Sequence, residues 1–138
     1  MILVTVNYTA VLAAAVASMV IGFLWYSPML FGTMWMELIG TTKEKMEESK
    51  KKMGPLYAGI FVAALATAYV LAHFAAYAQA NTIMLGMQTG FWAWLGFVAT
   101  TMLGNVIFAG KPFKLYLLDV GYHLVSLVVM GAIVAGWM

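Results

Sequence analysis

The chain has 138 residues, 64% hydrophobic and only 9% charged, with a mean hydropathy of +0.94 and a formal charge of +2. Seven lysines and five acidic residues cannot cover the surface of a soluble domain of this size, so the composition calls for lipid as the solvent. Cysteine and arginine are absent. That excludes disulfides, thiolate metal sites, cysteine nucleophiles and arginine phosphate clamps, and the small, confined positive charge argues against a nucleic-acid partner.

A helix needs roughly 20 apolar residues to cross about 30 Å of hydrocarbon. Four segments meet that length, at about 6–26, 56–78, 90–109 and 115–137. Continuous apolar runs of this kind are helices, because barrel strands alternate and are about half as long. The expected fold is therefore an all-α integral membrane protein, a single four-helix transmembrane domain over residues 1–138. Met1 to Tyr8 carries no side-chain charge, which argues against a secretory leader and for retention of the first helix.

The first helix is expected to stop at Tyr26-Ser27-Pro28, since a proline disfavours a helical residue before it. Met29 to Met36 is apolar and aromatic but too short to span, and suits the membrane interface, with Trp35 at headgroup level. Thr41 to Met53 is the one strongly polar stretch. Thr41-Thr42-Lys43-Glu44 reads as a capping box. Lys43/Glu47, Glu47/Lys51 and Glu48/Lys52 are opposite charges four apart, each worth about 0.2–0.5 kcal/mol on a helix. This short charged helix is first a solvated linker, and second a handle for a cytoplasmic partner. Gly54-Pro55 separates it from the second span. Gln79 to Thr89 is read as an uncharged connection, with Asn81 or Thr82 able to cap an earlier start of the third helix. Gly110 to Lys114 is a tight turn into the fourth.

All seven lysines fall in the connections between helices one and two and between helices three and four. With four spans these connections share one side. The positive-inside rule makes it cytoplasmic, so both termini are expected outside the cytoplasmic membrane. Small residues four apart mark close helix contacts in lipid. Three such seams occur: Ala10, Ala14, Ser18, Gly22; Ala64, Ala68, Ala72, Ala76; and Gly96, Thr100, Gly104. Three are more than one four-helix unit must use internally, which points to a homo-oligomer. Leu30 to Trp35 matches Ile107 to Phe113 with a one-residue insertion, the pattern of a duplicated hairpin.

Asp119 is the one formal charge within a predicted span, and an intramembrane carboxylate is a functional candidate. His123 lies one turn deeper on the same face, with Tyr116 and Ser126 extending it. Asn105 should sit at a similar depth on the third helix. Asn105, Tyr116, Asp119, His123 and Ser126 are thus expected as one polar cluster. It serves either as a proton relay or ion path or as interhelical hydrogen-bonding glue, the commoner use of such groups. His73 lies toward the other surface, away from His123, so no metal site is expected. The twelve methionines are scattered apolar filler rather than a copper site. Trp25, Tyr26, Trp35, Phe113 and Tyr116 form one aromatic belt and Tyr8, Tyr77 and Trp137 the other, with Trp92 and Trp94 joining the latter if the third helix starts near Gly90. No phosphate loop, nucleophile elbow or nucleotide fingerprint is present, so neither enzyme activity nor a cofactor is expected.

The run Gly22-Phe23-Leu24-Trp25-Tyr26-Ser27-Pro28-Met29-Leu30-Phe31-Gly32, then Trp35, is joined by Gly90 to Phe97, Asn105-Val106-Ile107-Phe108 and Gly121-Tyr122-His123-Leu124-Val125-Ser126. Over nearly the whole chain these resemble the prokaryotic membrane family catalogued as domain of unknown function 1761. The resemblance implies a four-helix membrane protein of a bacterium or archaeon, and it implies no activity. Function is left between a small channel or transporter, built around the polar cluster, and a structural or regulatory membrane protein acting through its linker helix.

Overall fold

The computed structural model describes residues 4–27, 29–50 and 54–137, and all its regular elements are helices. In chain order these are α1 (Tyr8–Trp25), α2 (Gly32–Ile39), α3 (Lys43–Lys50), α4 (Gly54–Tyr77), α5 (Ile83–Ala93), a π turn (Trp94–Ala99), α6 (Thr100–Ala109) and α7 (Phe113–Gly136). α1, α4, the continuous rod Ile83–Ala109 and α7 are each long and apolar enough to cross a membrane. The protein is an all-α membrane protein.

α1 begins where Asn7 caps it, its Oδ1 accepting from the amides of Thr9 at 3.1 Å and Ala10 at 3.2 Å. The same side chain donates from Nδ2 to the Trp137 carbonyl at 2.8 Å. The start of α1 and the end of α7 therefore meet at one end of the bundle, and α2, α3 and the Gly110–Lys114 turn occupy the other, the lysine end. Asn7→Ala removes both the cap and the tie, and is expected to cost about 1–2 kcal/mol of stability. Asn7→Asp, which keeps the cap and loses the donor, should cost less; equilibrium unfolding in bicelles measures both.

α1 ends at Trp25, and Pro28 lies outside the described residues. The chain reverses tightly, with Phe31 N bonded to Trp25 O at 3.0 Å and Gly32 N to Ser27 O at 2.8 Å. Gly32 is buried at this corner because a β-carbon there would overlap the Tyr26 carbonyl. The apolar stretch then forms α2, which packs beside α7. Trp25 stacks on Phe31 and Tyr26 meets Trp35 edge-on, with ring centroids 4.7 and 5.7 Å apart. α3 is capped by Thr42, whose Oγ1 accepts from Lys45 N at 3.3 Å. The hydroxyl half of the expected capping box is thus present one residue late, which leaves Glu44 inside the first turn. The pairs Lys43/Glu47, Glu47/Lys51 and Glu48/Lys52 each need a side chain outside those described.

The third span starts at Ile83, seven residues before the expected Gly90. Thr82 caps it, Oγ1 accepting from Leu85 N at 3.2 Å. The early start brings Gly86 and Gly90 against α7, where a β-carbon on either would overlap the carbonyls of Gly131 and Leu127 respectively. This backbone-to-backbone crossing makes α5–α7 the most intimate pair of the bundle. The two stretches that look alike in sequence follow different courses. Leu30 and Phe31 lie in the turn before α2, whereas Ile107 to Ala109 finish α6 before Gly110 caps it at φ 67°.

α7 is central and packs on α5, α1 and α4. Val11 and Ala14 of α1, Ala68, Leu71, Ala72 and Ala75 of α4 and Leu127, Met130 and Val134 of α7 make the core. Ala10, Ala14 and Ser18 are buried, as are Ala64, Ala68 and Ala72, so the first two seams are internal. The third is open: β-carbons added to Gly96 and Gly104 would meet nothing within 4 Å.

Candidate functional site

Asp119 stands two turns into α7 and is half-buried. Its Oδ1 accepts from the Tyr26 hydroxyl at 2.7 Å, a charge-assisted bond arriving from the residue that terminates α1. Tyr26 is held in turn, edge-on to Trp35 of α2 and to Tyr122 of α7, the latter at 5.6 Å. Deeper along the same side, Tyr122 donates to the Ser18 carbonyl at 3.1 Å with the Ser18 hydroxyl 3.3 Å away. Ser126 donates to Ser18 Oγ at 2.8 Å. Gly22 makes room for this, since a β-carbon there would lie 3.2 Å from the Tyr122 hydroxyl. The α1–α7 seam therefore carries two groups of polar side chains, Asp119 with Tyr26 near the lysine end and Ser18, Tyr122 and Ser126 deeper in. These bonds satisfy hydroxyls that lipid could not.

The expected five residues divide. Tyr116 turns to the third span and donates to Ala99 O at 2.9 Å, at the end of the π turn. Ser126 joins the serine–tyrosine group. Asn105 shares no hydrogen bond with the others among the described residues, and is exposed. It follows Ala99 by six residues, about two-thirds of a turn past a whole turn at 3.6 residues per turn, which points it away from α7. His123 is half-buried, and among the described residues no side chain hydrogen-bonds its imidazole. Its ring neighbours Tyr122 at 5.0 Å.

His123 shares a face of α7 with Leu127, Met130 and Val134, which recur at i+4, i+7 and i+11. At the termini end that face packs on Ala68, Leu71, Ala72 and Ala75 of α4. At the lysine end it has much less cover, for no described residue of α4 before Ala64 is buried and none of α6 is. Asp119 and His123 are thus half-buried on a face of α7 whose continuation toward the termini is packed into the apolar core. A half-buried carboxylate with one oxygen already fixed by Tyr26 suits binding of a proton or a small cation.

Sequence patterning missed the donors. Tyr26 reads as a belt aromatic, and the indoles of Trp25 and Trp94 read as headgroup anchors. Instead Trp25 Nε1 donates to Leu118 O at 3.0 Å and Trp94 Nε1 to Val120 O at 2.8 Å, both on α7. With the third helix starting at Ile83, Trp94 lies too deep for the belt. His73 lies on α4 between the rings of Tyr69 and Tyr77, at 4.6 and 6.2 Å, with Nδ1 2.9 Å from Tyr69 O.

A family model described as a protein of unknown function, DUF1761, matches residues 9–135. No curated protein and no solved structure matches the chain.

Proposed function

The chain belongs to the DUF1761 family of proteins of unknown function, and we propose that it is the subunit of a homo-oligomeric channel or transporter that takes up a proton or small cation at Asp119 and His123. The observation that carries this is the Asp119 carboxylate, inside a span, fixed by Tyr26 at 2.7 Å and flanked by an imidazole on the side of α7 that α4 leaves uncovered. A carboxylate so placed is costly in hydrocarbon, and ion handling is the use that repeatedly offsets such a cost. In a prokaryotic inner membrane, which the family resemblance implies, the positive-inside rule assigns the lysine end, near which Asp119 lies, to the cytoplasm and both termini to the outside. The open Gly96, Thr100 and Gly104 seam supports assembly of several copies, since one chain leaves it unused. No enzymatic role and no cofactor enter this reading.

Reconstituted protein in liposomes should pass protons or monovalent cations in a pH-dependent manner, followed by an internal pH dye under an imposed gradient. Asp119→Asn should remove that flux while the protein stays folded. Wild-type vesicles as tight as empty ones, or an Asp119→Asn variant as active as wild type, would overturn the proposal. A second reading is favoured by the bonds of Tyr116, Tyr122 and Ser126, each made to another helix. In that reading the polar groups only hold the bundle, and the Thr41 to Met53 segment recruits a cytoplasmic partner. Partner capture lost on neutralising that segment, together with indifference to Asp119→Asn, would decide for it.

A further inference from the structure

α4 and the third span diverge beside the core and leave a groove between them. It has two contiguous lobes of about 400 and 390 Å³ that share Phe74, Ala93 and Phe97 as walls. The deep lobe reaches Ala66 and Val70 of α4 with Leu127 of α7 at its floor, all apolar. The other lobe opens at the termini end and gains Gln88, Thr89 and Trp92.

We propose that this groove seats one acyl chain of a glycerophospholipid drawn from the leaflet on the termini side. Length, polarity and surroundings agree on that occupant. From Ala66 to Tyr77 α4 rises about 16 Å at 1.5 Å per residue, half of the roughly 30 Å hydrocarbon thickness and so one leaflet deep. Along that length the lining changes from aliphatic side chains at mid-span to the Trp92 indole and then, one turn nearer the termini, the Gln88 amide, so polarity rises in the direction in which a lipid passes from chain to ester. Thr89 does not compete for the ester, because its hydroxyl is spent on Leu85 O at 2.9 Å. The groove is open sideways within the spans, so the solvent that reaches it is hydrocarbon, and a void of this size left empty between packed helices would be costly. The π turn contributes directly, for Phe97 lies within it and forms a wall against Phe74, ring centroids 6.2 Å apart. No lining residue carries a formal charge, so the site reads the chain and the ester level and not the sign of the headgroup.

The test uses the full chain in liposomes containing phosphatidylcholine with a photoreactive group near the end of one acyl chain. Cross-links mapped by mass spectrometry should concentrate at Phe97, Val70 and Ala66 relative to Leu12 and Val16, which face lipid on α1. Ala93→Phe and Ala66→Phe fill the groove from opposite walls, and each should abolish that enrichment, whereas Val16→Phe should not. Ala66 is exposed, so its variant keeps the test alive if Ala93→Phe fails to fold. Replacing the probe by phosphatidylglycerol should leave the pattern unchanged. Even labelling of all lipid-facing residues, enrichment that survives both filled variants, or cross-links to a second copy of the chain at Phe97 would overturn the proposal, as would a marked preference for the anionic probe.

Discussion

Gly86→Leu should separate α5 from α7 and lower the stability of the bundle by about 3 kcal/mol or more, the upper range for overpacking. The reason is that nothing nearby can yield. A β-carbon on Gly86 falls on the Gly131 carbonyl and close to Ala135 Cβ, at 2.6 Å, and backbone has no alternative rotamer. The contact is reciprocal, since a β-carbon on Gly131 falls on the Gly86 carbonyl. Gly90, one turn on, meets Leu127 backbone in the same way, so no slide along the helix relieves the clash. The control is Gly96→Leu on the same span, where a β-carbon meets nothing within 4 Å. It should leave the fold of a single chain within about 0.5 kcal/mol, as surface changes do. Unfolding by sodium dodecyl sulfate in mixed micelles, followed by tryptophan fluorescence, separates the two. Equal losses at Gly86 and Gly96 would mean that the α5–α7 crossing does not carry the bundle. Under the oligomeric reading, the two variants also differ in kind, Gly96→Leu splitting the assembly while each chain stays folded.

The physical origin of what was and was not legible in the sequence is visible in these same residues. Four spans, the charged linker helix and two of the three small-residue seams follow from composition and period, because transfer into hydrocarbon acts on every residue of a run and leaves a signal many residues long. The third seam is not used within one chain, because the third span meets α7 on another face. The start at Ile83 that a Thr82 cap allows adds Gly86 and Gly90 to the span, and these, not Gly96 and Gly104, make the crossing with α7. The π turn Trp94–Ala99 is equally unannounced, since one additional residue in a helical turn has no compositional mark. Its ends are fixed from outside, by the Trp94 bond to Val120 O and the Tyr116 bond to Ala99 O. Asp119 was conspicuous because charge within a span is rare. Its partner was not, because a tyrosine at a helix end serves equally as a headgroup anchor. Only the reversal after Trp25, with Gly32 admitting the Tyr26 carbonyl, turns that phenol toward α7.

Tyr26→Phe in the native chain should cost about 1.5–3 kcal/mol, the range for a hydrogen bond to a charged group. The same substitution in an Asp119→Asn background should cost less than about 1 kcal/mol, nearer the average for interhelical hydrogen bonds in membranes. The argument turns on what each change leaves behind. Removing the phenol strips a half-buried carboxylate of the donor at 2.7 Å and leaves its charge in a poor solvent. Asparagine keeps an acceptor for Tyr26 and relieves the charge, so Asp119→Asn alone should be neutral or slightly stabilising. The two effects are therefore non-additive, with a coupling of about 1–2 kcal/mol in a double-mutant cycle measured by equilibrium unfolding in bicelles. Simple additivity would mean that Tyr26 and Asp119 do not share the bond in the membrane. The cycle also bears on function from a direction that flux cannot. A residue kept only to hold helices together should be one whose replacement weakens the bundle. A carboxylate whose neutral isostere leaves the bundle equally or more stable, while flux disappears, is held there against the preference of the fold, and that combination distinguishes an ion-handling site from interhelical glue.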